Sequence, residues 1–304
     1  MTALIVSVAL VAGTAWYVSW AAHHVAQGVA VWWFVAGAPF AYLAPAVVFA
    51  SACCVLAWLW RTPRPAEARI GVAASLSLLA VESWTISAGW PIMALHRWFI
   101  RDPAPAPATR PIVLVHGVLC NDGVWFAVRR HLAQAGIGPV YTLNYGPMFA
   151  STEHFAAQLA AKIAAVRAAT GASRVVLVGH SLGGLVARAY LREFGDAQVS
   201  RLITIGTPHH GSIFAWLFPG WCLAQMRPGN AWLAALNRDE GAPPPALTTV
   251  LWSRHDTMVV PQVSAMLGGA ENVALVGIGH NALLRDERVM ELVTREITTS
   301  SAGS

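Results

Sequence analysis

The residues VVLVGHSLGGLVAR, 175–188, decide the fold. Their opening run of Val and Leu has no polar face, the form of a strand buried on both sides of a parallel sheet. The next five, Gly179, His180, Ser181, Leu182 and Gly183, fit G-x-S-x-G. In that pattern glycines relieve crowding at a sharp strand-to-helix turn, and the serine hydroxyl stands exposed at its tip. A helix from 182 to about 194 follows directly. A helix N-terminus merely capped by Ser181 is the competing reading, and the strand immediately before it argues against that.

Outward from this turn, short apolar runs alternate with amphipathic ones, as in a parallel sheet covered by helices. Strands are expected at 112–115, 140–143, 174–178, 201–205, 248–252 and 273–276. A helix over 152–170 carries the stripe Phe155, Leu159, Ile163 and Val166, with Ser151 or Thr152 as cap and Gly171 as its close. Open α/β sheets bind ligands beyond the carboxyl ends of their strands.

A serine hydroxyl needs a base within hydrogen-bond reach and a carboxylate to orient that base. In this type of fold the chain order is Ser, acid, His. Asp256 follows the strand 248–252 and His280 follows 273–276, so both stand at strand ends beside Ser181. Asp196, Asp239 and Glu240 follow no strand end directly and read as surface carboxylates. His209, His210 and His255 compete as bases, and His255, next to the acid, reads as a supporting residue. The oxyanion donors are expected to be the backbone N–H groups of Val118 and Leu182, with His116 stabilising the turn before Val118. No metal or organic cofactor is required. Adjacent histidines such as His209 and His210 rarely face one ion, and no further ligand cluster accompanies them.

Residues 211–245 lie between two core strands and carry Ile213, Phe214, Trp216, Leu217, Phe218, Trp221, Met226, Trp232 and Leu236. An apolar insertion of this length over the active face is expected to be a cap. Cys120 and Cys222 read as two separate free thiols, although an oxidising compartment would let them pair.

The first 60 residues contain no Asp, Glu, Lys or Arg, and the whole chain is only 12% charged, against about 25% in soluble domains. Runs 3–22 and 29–60 each exceed the roughly 20 apolar residues of a membrane crossing; Pro39 and Pro45 are kink points in the second. Run 70–92 is a third candidate in which Glu82 would be costly unless it faces the other helices or is protonated. A signal peptide is disfavoured by the missing basic start. The expected organisation is a membrane region over 1–98, a Pro/Ala-rich linker over 99–110 and a catalytic domain over 111–304. Most of the net charge of +5 arises from six arginines against three acids in 61–110, so it marks a membrane border rather than a nucleic-acid footprint. Arginines keep the loop 61–69 cytoplasmic; three crossings then put the catalytic half outside the cytoplasm and two put it inside, the first being favoured.

VLVHGVLCNDGVW (113–125), VVLVGHSLGGLVAR (175–188), ITIGTPHHGS (203–212) and SRHDTMVVP (253–261) together resemble the bacterial lipase and esterase branch of the α/β-hydrolases. The resemblance covers about 111–290. It implies a mostly parallel sheet that begins at the family's usual third strand, and hydrolysis of carboxylic esters, often acylglycerols or phospholipids. It also implies roles for Ser181, Asp256, His280, Val118 and Leu182, and, with the apolar runs, residence in a bacterial inner membrane. Some relatives hold a structural calcium near the catalytic acid and histidine; no matching arrangement is found around His280. Acyl transfer by the same serine, or a catalytically silent membrane scaffold, are the alternative functions.

Overall fold

The computed structural model describes residues 1–242 and 246–299. Six strands, β1 (Ile112–Val115), β2 (Val140–Leu143), β3 (Val175–His180), β4 (Val199–Ile205), β5 (Leu247–Ser253) and β6 (Glu271–Leu275), form one sheet. Their order is β2-β1-β3-β4-β5-β6 and every neighbouring pair is parallel. All six expected strands are present, the last beginning two residues before its expected start. Successive side chains of a strand point to opposite faces, and here both faces are covered. Val113, Val115 and Leu177 pack with the stripe of α6 (Thr152–Thr170) and with α7 (Leu182–Phe194). Ile112, Leu114, Val176 and Val178 pack with α5 (Phe126–Gln134) and α10 (Glu287–Thr298). Ser151 caps α6 by accepting the His154 N–H. The result is an α/β-hydrolase fold with its reactive loops at the carboxyl edge.

Three apolar helices precede the sheet: α1 (Thr2–Ala26), α2 (Trp32–Leu59) and α3 (Val72–Ala94), each long and apolar enough to cross a membrane. None of α1 is buried. In α2 the buried positions Ala46, Ala50, Cys53 and Ala57 recur every three or four residues, a single stripe. Cys53 and Ala57 cluster with Phe214 and Val260 of the hydrolase.

The helices dock on the hydrolase at several levels. Thr2 Oγ1 donates to the Cys120 carbonyl at 3.1 Å. After α2, the Thr62 N–H donates to Gln262 Oε1 at 3.1 Å and Arg64 Nε to the Arg254 carbonyl at 2.7 Å. Beyond the other end of α3, Asn121 Nδ2 donates to the Met93 carbonyl at 2.8 Å, and His96, in the short helix α4 (His96–Phe99), pairs with Asp122 at 2.5 Å. A helix of 23 residues is about 34 Å long, so hydrolase residues meet both ends of α3. Glu82, costly in a membrane span unless it faced the other helices or was protonated, faces the α/β domain, where four donors meet its carboxyl group.

The Pro/Ala-rich stretch after α4 is not a free spacer. Asp102 pairs with Lys162 and accepts the Thr142 N–H at 3.2 Å, and the Ala108 N–H donates to the Thr170 carbonyl at 3.0 Å. Those bonds hold the segment against β2 and α6. The expected cap contains a short 3-10 helix (Ile213–Trp216), α8 (Trp221–Gln225) and α9 (Ala231–Leu236); its Pro243 to Pro245, like the tail from 300 onward, lie outside the described residues.

Candidate active site

β3 ends at His180 and α7 begins at Leu182, leaving Ser181 alone in the turn with φ 54° and ψ −125°. A non-glycine residue held there costs about 1–3 kcal/mol and persists only where its surroundings enforce it. Close approach is part of that enforcement: a Cβ on Gly183 would run into the Val115 carbonyl oxygen, so the helix can start against β1 only with glycine there. Leu119, with φ 59°, is the other non-glycine residue of positive φ among those described. It lies in the loop after β1 that faces Ser181, so both strained residues belong to one site.

Asp256 and His280 come from the loops after β5 and β6. His280 Nδ1 lies 3.0 Å from both carboxyl oxygens of Asp256. Asp256 Oδ1 also accepts the N–H groups of Met258 at 2.8 Å and Val259 at 2.7 Å, which fix its orientation. Both side chains are buried. Burial alone would lower the His280 pKa; the charge and hydrogen bond of Asp256 outweigh it, Glu82 adds to them, and the net effect is a rise above the ordinary value. Ser181 and His280 open on the same cavity of about 280 Å³.

Val118, which also lines this cavity, and Leu182, the first residue of α7, flank Ser181. Among the described residues neither N–H donates to a backbone carbonyl, so both remain available to an oxyanion. The cavity is mostly apolar, and besides the loops after β1, β5 and β6 its walls draw on two further parts of the chain. Phe214, Phe218 and Met226 come from the 211–245 insertion, while Phe49 of α2 and Ile86, Gly89, Trp90 and Met93 of α3 come from the apolar helices. Helical periodicity marks a buried face but gives no address for it, so the contribution of α2 and α3 was not readable from sequence.

The remaining candidates face elsewhere. His255 Nδ1 accepts the Gly277 N–H at 3.1 Å. His209 contacts Arg188 at 3.3 Å and Thr204 at 3.1 Å, whereas His210 pairs with Glu240 at 2.7 Å, so the two adjacent histidines point to different partners. His116 hydrogen-bonds the Gly117 carbonyl at 2.8 Å and stacks on Tyr145, and burial holds its pKa down at about 4. Cys120 and Cys222 are separate free thiols.

Two residues of the site escaped sequence reasoning. His180 is buried with its ring 4.8 Å from that of His280, and burial pushes its pKa well below the ordinary value; as the variable residue of G-x-S-x-G it carried no signal. Glu82 is the other. Its Oε1 accepts from Thr257 Oγ1 at 3.1 Å, the Asn281 N–H at 2.9 Å and Asn281 Nδ2 at 2.8 Å, and its Oε2 from the Ala282 N–H at 3.0 Å. Thr257 Oγ1 in turn accepts the His280 N–H at 3.2 Å. A Cβ on Gly279 would come within 2.5 Å of Glu82 Oε2, so glycine before His280 is what admits the carboxyl group. The one signal was a lone acid in an apolar run.

Residues 110–240 match the family described as the alpha/beta hydrolase fold. The chain is 40% identical over 118 residues to a triacylglycerol lipase of Pseudarthrobacter phenanthrenivorans, a match covering 36% of each chain. It is likewise 40% identical over 118 residues to one of Burkholderia plantarii, covering 36% of this chain and 32% of that one. It thus spans about a third of the length of the curated relatives it matches. Mature Bacillus licheniformis lipase BlEst2 superposes with a TM-score of 0.57 at 20% identity, over 66% of this chain and 97% of the other. Aspergillus fumigatus lipase B gives 0.59 at 21% identity, over 69% and 58%; at such identities the likeness is one of fold. With its parallel sheet and its strained G-x-S-x-G turn, the chain carries the α/β-hydrolase fold and is similar to bacterial triacylglycerol lipases.

Proposed function

We propose that this chain is a membrane-anchored serine hydrolase that cleaves carboxylic esters, with lipid esters as its substrates. The observation that carries this reading is that Ser181 and His280, the latter held by Asp256 behind it, open on one mostly apolar cavity walled partly by α2 and α3. Ser181 Oγ attacks the ester carbonyl carbon while His280 Nε2 takes its proton, and the N–H groups of Val118 and Leu182 hold the oxyanion. The ester C–O bond breaks, and the alcohol leaves with the proton from His280. Water then attacks the acyl-enzyme with His280 again as base, releasing the acid and restoring Ser181. The division into a membrane region (1–98), a connecting segment (99–110) and a hydrolase (111–304) with a cap at 211–245 belongs to the same proposal. Trp216, Leu217 and Trp221, exposed on that cap, support contact with lipid.

The acyl chain of the substrate lies in this reading against α3, and p-nitrophenyl esters of graded length test it. Turnover of medium and long chains is expected. A Cβ on Gly89 meets nothing within 4 Å and Gly89 lines the cavity, so Gly89→Leu narrows the cavity, and leucine favours the helix by about 1 kcal/mol over glycine. The variant should keep acetate ester turnover and lose the longer esters; an unchanged length profile would refute the acyl assignment. The base must be neutral to accept a proton. The raised His280 pKa therefore places the acid limb of kcat/KM above the ordinary histidine value of about 6.5, and the rate falls as pH drops through it. A pH–rate profile with an acid limb well below that value would remove His280 from the role.

One observation favours two crossings over three. Both ends of the α1–α2 hairpin, Thr2 and Thr62, bond to the hydrolase, and the arginine-rich loop that begins there stays cytoplasmic. In this reading the hydrolase lies on the cytoplasmic side with α3 along it.

A further inference from the structure

The loop between α2 and α3 holds three arginines, Arg61, Arg64 and Arg69, against one acid, Glu67. The three line a groove of about 760 Å³ between the two helices, flanked by Val55 and Trp58 of α2 and by Leu76 and Leu79 of α3. Among the described residues none of them pairs with a carboxylate. Arg61 donates to the Trp58 carbonyl at 3.0 Å and lies over the Trp58 ring; Arg64 uses its Nε on the Arg254 carbonyl. Their remaining N–H donors are uncommitted. Burial, reinforced by the neighbouring Arg61, lowers the Arg64 pKa, the mark of a cation held without a counter-charge.

His255 lines the same groove and is 4% exposed. Its Nδ1 accepts the Gly277 N–H, so in the neutral ring the hydrogen sits on Nε2. That buried Nε2 has no hydrogen-bond partner among the described residues. Burial first, and then the Arg64 charge, hold the His255 pKa down at about 4, which keeps the ring a neutral donor at physiological pH. The groove thus combines three unpaired cations, one orphaned donor and apolar flanks that continue along two membrane-type helices.

We infer that this groove binds the phosphate of an anionic phospholipid, with its acyl chains along α2 and α3. The guanidinium forks and the His255 N–H match phosphate oxygens, and the apolar flanks match a diacyl tail. Basic pockets at the cytoplasmic ends of membrane helices take anionic headgroups in this way. The site is distinct from the cavity of Ser181, with which it shares no lining residue. It abuts the catalytic loop, because His255 precedes Asp256 and Thr257 lines both the groove and the Glu82 network.

The test uses the full chain purified in a neutral detergent, with native mass spectrometry and thermal shift as readouts. The probes are phosphatidylglycerol, phosphatidylcholine and inorganic phosphate. Phosphatidylglycerol should be retained and raise Tm, phosphatidylcholine far less, and inorganic phosphate should neither bind as tightly nor displace the lipid. Arg61→Gln/Arg69→Gln, at two exposed positions, should weaken phosphatidylglycerol about fivefold per arginine, from about 1 kcal/mol each, while acetate ester turnover stays unchanged and reports the fold. Equal retention of both lipids, or affinity unaltered in the double variant, would overturn the proposal. Phosphate binding alone as tightly as the lipid would overturn its lipid part. Neither result touches the assignment of Ser181, which the ester assay reads separately.

Discussion

Ser181→Ala is expected to lower turnover of a p-nitrophenyl ester by about a thousandfold or more while Tm stays within a few degrees. The size follows from the mechanism: without Oγ no acyl-enzyme forms, and loss of a triad nucleophile elsewhere costs of the order of 10⁶ in kcat. The small stability effect follows from the geometry. The left-handed backbone at residue 181 is enforced by the close packing of Gly183 on β1, and alanine tolerates that conformation no worse than serine. A fluorophosphonate probe should label the native chain and not the variant. Equal turnover in the two would end the serine hydrolase reading, and an acceptor-dependent acyl product in place of free acid would redirect it to acyl transfer.

Glu82→Gln is expected to reduce kcat by about ten- to a hundredfold with little change in KM, the scale on which small misplacements of catalytic groups act. Glu82 reaches none of the reacting atoms; it is a positioning residue. Its carboxyl group accepts four hydrogen bonds from Thr257, Asn281 and Ala282, the residues that follow Asp256 and His280, the proposed acid and base. Glutamine keeps the shape but turns one acceptor into a donor, so at least one buried N–H or O–H loses its partner at a cost of about 1–3 kcal/mol. The fall in Tm measures that cost. A pH profile separates positioning from simple destabilisation: Glu82 helps to raise the His280 pKa, so the acid limb of kcat/KM should move to lower pH in the variant. Full activity with an unmoved limb would remove Glu82 from the site.

The hydrolase half was legible because its signals are local. A buried parallel strand is an uninterrupted apolar run, a nucleophile turn needs glycines at fixed offsets, and the order serine, acid, histidine is imposed by strand order. Ser181, Asp256 and His280 could therefore be proposed from strand ends alone, and the structure places His280 and Asp256 within hydrogen-bond reach of each other. What escaped was non-local. The stripe Ala46, Ala50, Cys53 and Ala57 has helical spacing, but small side chains pack against many surfaces and do not say which. Glu82 looked like a defect in a membrane span because its donors lie about 200 residues further along the chain. The stretch after α4 read as a spacer because Pro and Ala carry no pairing signal of their own, whereas Asp102 and the Ala108 N–H tie it down.

The docking of Glu82 also bears on biogenesis. A nascent chain makes α3 well before the loops that follow β5 and β6, so the carboxyl group must wait for partners that emerge last. Until those loops close on it, Thr257 and Asn281 beside the acid and the imidazole lack their shared acceptor, and the cavity lacks the wall formed by Ile86, Gly89, Trp90 and Met93. Under the proposed function, a chain whose α3 fails to dock is then silent toward esters. Activity becomes a report on completed assembly, written by one acidic side chain.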